Sequence, residues 1–267
     1  MLRSRPPRDR RLAAHVERLW WSEVDDVAEA ETILPTGRAQ LIVDLRGERA
    51  DATVLQGPRS TPSEIDPAVQ RRAVGVALRS GGTAAFVEVP ACEVADRFVA
   101  LDDVWSTTAQ LREDLVGSDG PEEAFDRLER ELVERLAPPA DDLLPAAAAA
   151  LAGGRPVREV ADAIGLDRRR FATRFAARYG FGPKRYARLR RFERALRVLR
   201  SDGPDPLAVV AADLGYADQA HLSREVREFA GVTPAELRRV PAGAPTHLRR
   251  GGDSFKTSPH VEPTMGA

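Results

Sequence analysis

The second half of the chain repeats one pattern of apolar and polar positions. Apolar residues stand at the i, i+3, i+4 and i+7 positions of a helix that buries one face, and the pattern recurs 50 residues later. These residues are Val157, Val160, Ala161 and Ile164, followed by Leu207, Val210, Ala211 and Leu214. Gly165 and Gly215 come next and suit a sharp turn at the end of each helix. Asp167 and Asp218 then stand where the cap of a second helix is expected.

A second helix is predicted after each turn, now at an offset of 51 residues. The matching pairs are Phe171 and Leu222, Phe175 and Val226, Gly180 and Gly231, and Pro183 and Pro234. Two helix-turn-helix units are the simplest interpretation. The segment from Pro183 to Arg200 has helical spacing throughout and predicts one continuous linking helix. Such a helix spans about 27 Å, close to the ~34 Å between successive major-groove faces of B-DNA, so one chain could present two helices to adjacent turns.

The first half of the chain is predicted to be mixed. The runs Ala39–Leu45 and Ala73–Leu78 predict strands, and from Thr83 onward, through Phe98 and Trp105, the apolar spacing becomes helical. We therefore expect an α+β protein whose C-terminal part is all-α, with two helix-turn-helix units joined by a long helix. The expected divisions are an N-terminal domain at 1–137, a linker at 138–141, a second domain at 142–240 that opens with an alanine-rich helix, and a disordered tail at 241–267.

Charge separates along the chain although the formal net charge is only −1. Residues 1–140 carry 18 basic and 26 acidic residues, whereas residues 141–250 carry 21 basic and 13 acidic residues. The asymmetry indicates a basic half that meets a polyanion and an acidic half that does not. The alternative is two ordinary solvated surfaces.

The sequence offers little chemistry outside this pattern. No apolar stretch of about 18 residues occurs, and the first residues lack the apolar segment of a signal peptide, which predicts a cytoplasmic protein with no membrane partner. The four histidines are scattered and Cys92 is the single cysteine, so we expect no metal, no cofactor and no disulfide. We expect Cys92 to be a small buried residue, with a redox or alkylation sensor as the alternative. No phosphate loop or nucleophile elbow is present, and we expect no catalytic residues and no enzyme.

A larger set of ordered residues extends the repeat. It comprises Val157 to Leu166, Phe171, Phe175, Gly180, Pro183-Lys184-Arg185-Tyr186, Ala211 to Arg224, and Gly231-Val232-Thr233-Pro234. On these residues, the stretch of about 142–240 resembles the DNA-binding domain of the AraC/XylS family of bacterial transcription regulators. Two positions depart from the family pattern: Val226, where phenylalanine is usual, and Arg174, which is often apolar.

The resemblance implies that the second helix of each unit reads the major groove of double-stranded DNA. The implied DNA-binding residues are Arg168, Arg169, Arg170, Ala172, Thr173 and Arg174 in the first unit, and Gln219, Ala220, His221, Ser223 and Arg224 in the second. The residue types suit this role, because arginine can pair with guanine and glutamine with adenine. For the run Arg168–Arg170 taken alone, a solvated helix face is the alternative.

Four segments of the first half carry a second resemblance. They are Ile33 to Gly37, Gln56-Gly57-Pro58, Gly75 to Leu78 and Leu101 to Trp105. They resemble a poorly characterised domain that precedes AraC-type DNA-binding domains in many bacterial regulators. Because regulators of this kind often fold the sensor half as a cupin-like barrel, the resemblance implies a β-rich, cupin-like domain with appended helices. The resemblance does not indicate which effector such a domain would bind.

The leading hypothesis is a DNA-binding transcription regulator controlled by a small-molecule effector or by formation of a homodimer, with RNA polymerase as a further partner if it activates. Two alternatives remain. One is a DNA-binding domain fused to an alkyl-transfer or redox-sensing function of Cys92, against which the adjacent Glu93 argues, because a reactive thiolate needs an electropositive setting. The other is a protein-interaction module with little DNA reading of its own.

Overall fold

A computed structural model shows a β-rich domain followed by a helical region. It describes residues 2–23, 31–46, 53–65, 72–105, 108–138, 143–201, 203, 205–239 and 247–249. The strands are β1 (Leu2–Arg5), β2 (Val16–Glu23), β3 (Glu31–Ile33), β4 (Gln40–Asp44), β5 (Thr53–Gln56), β6 (Ser63–Ile65), β7 (Arg72–Leu78), β8 (Phe98–Ala100) and β9 (His247–Arg249). The helices are α1 (Ala91–Val94), α2 (Thr108–Val116), α3 (Pro121–Glu134), α4 (Leu144–Ala152), α5 (Val157–Ala163), α6 (Arg168–Tyr179), α7 (Pro183–Leu199), α8 (Leu207–Asp213), α9 (Gln219–Ala230) and α10 (Pro234–Leu237).

Six strands form an antiparallel sheet in the order β1-β2-β7-β4-β5-β8, and three form a smaller antiparallel sheet in the order β6-β3-β9. β4 and β7 read as almost continuous apolar runs because they lie at the centre of the larger sheet and are buried along most of their length. Gly75 on β7 leaves room for a neighbouring ring, since a Cβ there would lie 2.5 Å from the side chain of Trp20. Both strands predicted from the sequence are therefore present.

Helices α2 and α3 close one face of the larger sheet. Phe125, Leu128 and Leu132 of α3 are buried in one cluster with Trp21 and Leu55 of the strands. The indole N–H of the buried Trp105 donates a hydrogen bond to the backbone oxygen of Phe86 at 2.7 Å. The predicted N-terminal architecture, β-rich with appended helices, is confirmed. The helical assignment of Phe98 is wrong: Phe98–Ala100 forms the edge strand β8 against β5.

The helical region has the predicted order of elements. α4, α5 and α6 enclose one apolar cluster around Phe171 and Phe175, and α7 to α10 enclose another around Phe192 and Phe229. The segment between the two units is one helix, α7, as predicted. The two units therefore have separate apolar clusters, α7 contributes to both through Tyr186 and Leu189, and Leu34 of the first half joins the second cluster.

The predicted linker and tail fall mostly on residues that the structure does not describe. Of residues 138–141 it describes Pro138 alone. Of residues 241–267 it describes His247–Arg249, which form strand β9 antiparallel to β3. The prediction of a disordered tail therefore fails for these three residues. Among the described helices, none is long and apolar enough to cross a membrane.

Candidate nucleic-acid interface

The second helix of the first unit, α6, presents an exposed basic surface at its beginning. The carboxylate of Asp167 accepts hydrogen bonds from the backbone N–H groups of Arg169 at 3.0 Å and Arg170 at 2.9 Å, so the predicted cap is present. Phe171 and Phe175 are buried beneath the helix. The side chains of Arg168, Arg169, Arg170, Thr173 and Arg174 are exposed, and Ala172 is half-buried. With Asp167, four of these residues (Arg169, Arg170, Thr173 and Arg174) line a shallow depression of about 410 Å³.

The second helix of the second unit, α9, begins in the same way. The carboxylate of Asp218 accepts a hydrogen bond from the backbone N–H of His221 at 2.6 Å. Leu222, Val226 and Phe229 are buried on the inner side of the helix. Gln219, Ala220 and Arg224 are exposed, and Ser223 is half-buried. Ten of the eleven side chains predicted to contact DNA thus lie exposed or half-buried on the outer surfaces of α6 and α9, and one of them, Arg170, also pairs with the carboxylate of Asp167 at 3.5 Å.

His221 differs from the other predicted contact residues. Its Nδ1 accepts a hydrogen bond from the backbone N–H of Ala217 at 3.3 Å, and its ring packs edge-on against Tyr216 at 5.3 Å between centroids. The imidazole therefore braces the turn before α9, and its Nε2 is the ring nitrogen left for another partner.

Arg227 was missed by the sequence analysis. It lies on α9 one turn after Ser223 and Arg224 and is exposed, so it extends the same surface. The helical spacing i, i+3 and i+4 from Arg224 and Ser223 could have identified it. It was not found because the set was carried over from a family resemblance whose implied DNA-binding residues end at Arg224.

A buried ion cluster holds α9 against α7. The side chain of Glu225 is 1% exposed and accepts hydrogen bonds from Arg188 at 2.9 Å and from Arg191 at 2.8 and 3.0 Å. Burial alone would raise the pKa of Glu225, but the hydrogen bonds from Arg191 and Arg188 hold it below its ordinary value. Arg188 also pairs with Glu228. Because these contacts fix the inner side of α9, they set where its outer side points.

The linking helix sets the separation of the two surfaces. α7 runs without interruption from Pro183 to Leu199 over 17 residues. At the rise of an α-helix this is about 26 Å, which is near the ~34 Å between successive major-groove faces. The arrangement can therefore offer α6 and α9 to one face of a duplex.

Cys92, the residue on which the alternative of an alkyl-transfer or redox-sensing function depends, lies in the first half of the chain. Cys92 lies on the short helix α1 with its side chain exposed, while Ala91 and Val94 of the same helix are buried. The expectation of a buried Cys92 is therefore wrong, because α1 turns its other side to the core. Within the described residues, no group of three or more His, Cys, Asp or Glu side chains is placed to hold a metal ion.

Two families match the chain, one in each half. A helix-turn-helix domain matches residues 160–240, and a domain of unknown function, DUF6597, matches residues 4–100. Proteins described as AraC-like transcription regulators from Streptomyces antibioticus and Streptomyces lividans are 36% and 35% identical to this chain over 85 residues. That stretch is 32% of this chain, and the chain covers 28% of the length of each relative.

Solved structures similar to this one include ToxT from Vibrio cholerae O395 and the xylose-binding transcription activator XylR. ToxT is 9% identical, with 91% of this chain and 97% of ToxT covered and a TM-score of 0.39. XylR is 17% identical, with 45% of this chain and 39% of XylR covered and a TM-score of 0.33. The chain thus has a helix-turn-helix domain at residues 160–240 and a DUF6597 domain at residues 4–100, and over 85 residues it is similar to proteins described as AraC-like transcription regulators.

Proposed function

We propose that this chain is a transcription regulator that reads two successive major-groove segments of double-stranded DNA with α6 and α9. The observation that carries the proposal is the pair of capped helices with exposed polar and basic outer surfaces, joined by α7, which is about 26 Å long. The basic charge of residues 141–250 supplies the attraction to a polyanion that such binding requires.

The two helices are proposed to divide the contacts. Arg168, Arg169 and Arg170 stand in the first turn of α6, where their positive charges and the positive end of the helix dipole favour phosphate. Thr173 and Arg174 follow one turn later beside the half-buried Ala172. On α9, Gln219 and Arg224 offer hydrogen-bond patterns that match adenine and guanine edges, while Ala220, His221 and Ser223 complete the contact surface.

The N-terminal domain is proposed to control this binding, either by taking a small-molecule effector or by forming a homodimer. Support comes from its acidic balance, which argues against its own contact with DNA, and from its place before an AraC-type domain. Contact with RNA polymerase would follow if the chain activates. A cytoplasmic location and the absence of enzymatic activity belong to the same proposal.

Selection of binding sites from random double-stranded DNA with the full chain tests the proposal. We expect a motif of two half-sites whose centres are about 10 base pairs apart, because each reading helix enters the groove on one turn. Arg10→Ala is a suitable control variant, because it removes one exposed positive charge from the acidic domain and should select the same motif. If the wild-type chain enriched no motif, sequence-specific regulation would be excluded, and a single half-site would exclude reading by both helices.

A further inference from the structure

Loops of the N-terminal domain lie directly against α6 and α7. A Cβ at Gly37 would stand 2.7 Å from the side chain of Leu189, and a Cβ at Gly81 would stand 2.6 Å from the ring of Tyr179. On the other side of the contact, a Cβ at Gly180 would stand 3.0 Å from the ring of Pro58. All three glycines have positive φ, so both the backbone and the spacing favour glycine there. The segments 33–37 and 56–58, which carried the N-terminal resemblance, thus face the helical region.

One N-terminal side chain belongs to the core of the second unit. Leu34 is 1% exposed and lies in the same apolar cluster as Phe181 and Leu189. That cluster also contains the inner residues of α9: Leu222, Val226 and Phe229. Ala95, at the end of α1, packs against the same cluster. The second helix-turn-helix unit therefore completes its core with material from the N-terminal domain.

A polar path runs beside this apolar contact. Asp96, which has a positive φ of 58°, accepts hydrogen bonds from the backbone N–H of Ser60 at 2.7 Å and from its hydroxyl at 2.6 Å. The Ser60 hydroxyl oxygen in turn accepts a hydrogen bond from Nε of Arg185 on α7 at 2.8 Å. The Arg185 guanidinium lies over the ring of Phe229 on α9, 5.8 Å from its centroid, and 4.0 Å from Glu228. Ser60 is thus two contacts away from the reading helix.

The described part of the N-terminal domain leaves the proposed reading surfaces of α6 and α9 open. It meets α6 at the far end, at Tyr179 and Gly180, whereas Arg168, Arg170 and Arg174 at the other end are exposed. Gln219 and Arg224 on α9 are exposed as well. Control by covering these surfaces does not fit this arrangement.

We propose that the N-terminal domain acts on DNA reading by supporting the second helix-turn-helix unit, with Leu34 as part of its core and Ser60 as the anchor of Arg185. Loss of either contact loosens α9, and the position of Arg224 and Gln219 then becomes less defined. The effect on base reading rests on the proposed function, whereas the support of α9 does not.

Hydrogen exchange of the full chain tests the support of α9 without DNA. In Leu34→Ala we expect amides of residues 219–230 to exchange about tenfold faster, because a cavity opens beneath α9. In Ser60→Ala the same amides should exchange about threefold faster, because Nε of Arg185 loses its hydroxyl acceptor and only the longer hydrogen bond to the Ser60 backbone oxygen, at 3.3 Å, is kept. Ser118→Ala is the matched control, since Ser118 is also a buried serine whose hydroxyl donates a hydrogen bond, here to the backbone of Asp114. It should leave α9 unchanged.

Two results would overturn the proposal: wild-type exchange of α9 in both variants, or an equal increase throughout α6 and α9. If Leu34→Ala does not fold, the exchange of the α9 amides in Ser60→Ala tests the proposal on its own. In the binding-site selection, Ser60→Ala should weaken discrimination by several-fold in the half-site that Arg224→Ala alters, and not in the half-site that Arg169→Ala alters. A wild-type chain that selected no motif would refute the proposed function, and the exchange comparison would still decide whether the N-terminal domain supports α9.

Discussion

Arg168 and Arg224 are both exposed arginines on the proposed reading helices, α6 and α9, but they stand at different places along them. Arg168 is the first residue of α6, beside the cap, whereas Arg224 lies in the second turn of α9, one turn after Ala220 and on the same side. In the proposed division of contacts, Arg168 beside the cap meets the phosphate backbone, whereas Arg224 meets a base edge.

Arg224→Ala should therefore weaken binding to the preferred site by about 1–3 kcal/mol and relax the base preference at one position, as expected for a lost bidentate base contact. Titrations of the preferred and a scrambled duplex, monitored by fluorescence anisotropy, measure both effects. Equal weakening of the two duplexes would contradict a base contact of Arg224.

Arg168→Ala should weaken binding to all sequences by a similar factor and lower the slope of log K against log salt by about one unit. The anisotropy titration repeated over a series of salt concentrations gives this slope, and circular dichroism checks that helicity is retained. Arg10→Ala provides the control for a lost charge far from the reading helices. A changed base preference in Arg168→Ala would show that our assignment of the two arginines is reversed.

Glu225 couples stability to pH through its two arginine partners. Its pKa in the folded chain lies below the ordinary value of 4.5, so its contribution is present above about pH 4.5 and is lost as the pH falls through the folded value. At pH 7, Glu225→Gln should lower the free energy of unfolding by about 3 kcal/mol, because two arginines lose a buried counter-charge. The difference from wild type should shrink as the pH falls below 4.5. Urea unfolding at several pH values, with the more exposed Glu228→Gln as the control, checks this; a difference that is independent of pH would contradict it.

Local features were predictable at this scale and tertiary ones were not. The caps Asp167 and Asp218 follow from a side chain bonding to N–H groups two or three residues ahead, which a sequence displays directly. Whether Cys92 faces inward depends on which side of α1 meets the core, and the orientation of His221 depends on the ring of Tyr216. Neither is encoded in spacing alone.

At the scale of elements, the two reading helices end alike but in different surroundings. Gly180 follows α6 with φ of 85° and Gly231 follows α9 with φ of 71°. A Cβ at Gly231 would meet nothing within 4 Å, whereas one at Gly180 would press on Pro58 of the N-terminal domain. Substitutions at Gly180 and Gly231 therefore allow two losses of stability to be separated. Both include the strain of a positive φ, and only the one at Gly180 adds a steric clash with Pro58.

Asparagine is the substitution of choice, because it tolerates the left-handed conformation better than other side chains. Gly180→Asn should lower the free energy of unfolding by about 1–3 kcal/mol more than Gly231→Asn, since overpacking adds to the shared backbone strain. Urea unfolding of the full chain measures both values. Equal losses in the free energy of unfolding would mean that Pro58 moves aside at no cost and that the contact at Gly180 is not tightly packed.

The repeat of helices was predictable because a helix of seven to twelve residues that buries one face shows regular spacing of apolar residues along the sequence. The strands β8 and β9 were not, because three residues are too few for alternation to be distinguished from chance. Phe98 was assigned to a helix for this reason, although it sits on an edge strand.

At the scale of the whole molecule, the two halves are joined by more than the chain between them. Leu34 enters the core of the second unit, and Ser60 holds Arg185 of α7. The sequence indicates two domains of opposite charge but not the contact between them. The spacing of apolar residues within one half carries no information about which residues of the other half it packs against. Each half taken alone has an uncovered apolar surface where Leu34 meets Phe181 and Leu189.

The C-terminal strand extends this connection. β9 pairs with β3 through Glu31↔Arg249, Thr32↔Leu248 and Ile33↔His247, and β3 leads directly into Leu34 and Gly37, which contact α7. A chain that ends at residue 240 lacks β9, and a chain that ends at residue 250 retains it. Removing the paired strand frees the backbone groups of β3 that bond to it, and the loop that carries Leu34 loses its support.

We therefore expect amides of residues 31–37 to exchange about tenfold faster in the chain ending at 240 than in the full chain, and at the wild-type rate in the chain ending at 250. Residues of β2 and β7, which pair within the larger sheet, should exchange alike in all three. Hydrogen exchange followed by mass spectrometry resolves these segments. If both truncated chains exchanged at the full-chain rate, β9 would contribute nothing, and residues 241–267 would be as dispensable as a disordered tail. A difference confined to residues 31–37 and α9 would instead show that the end of the chain helps to set the second reading helix.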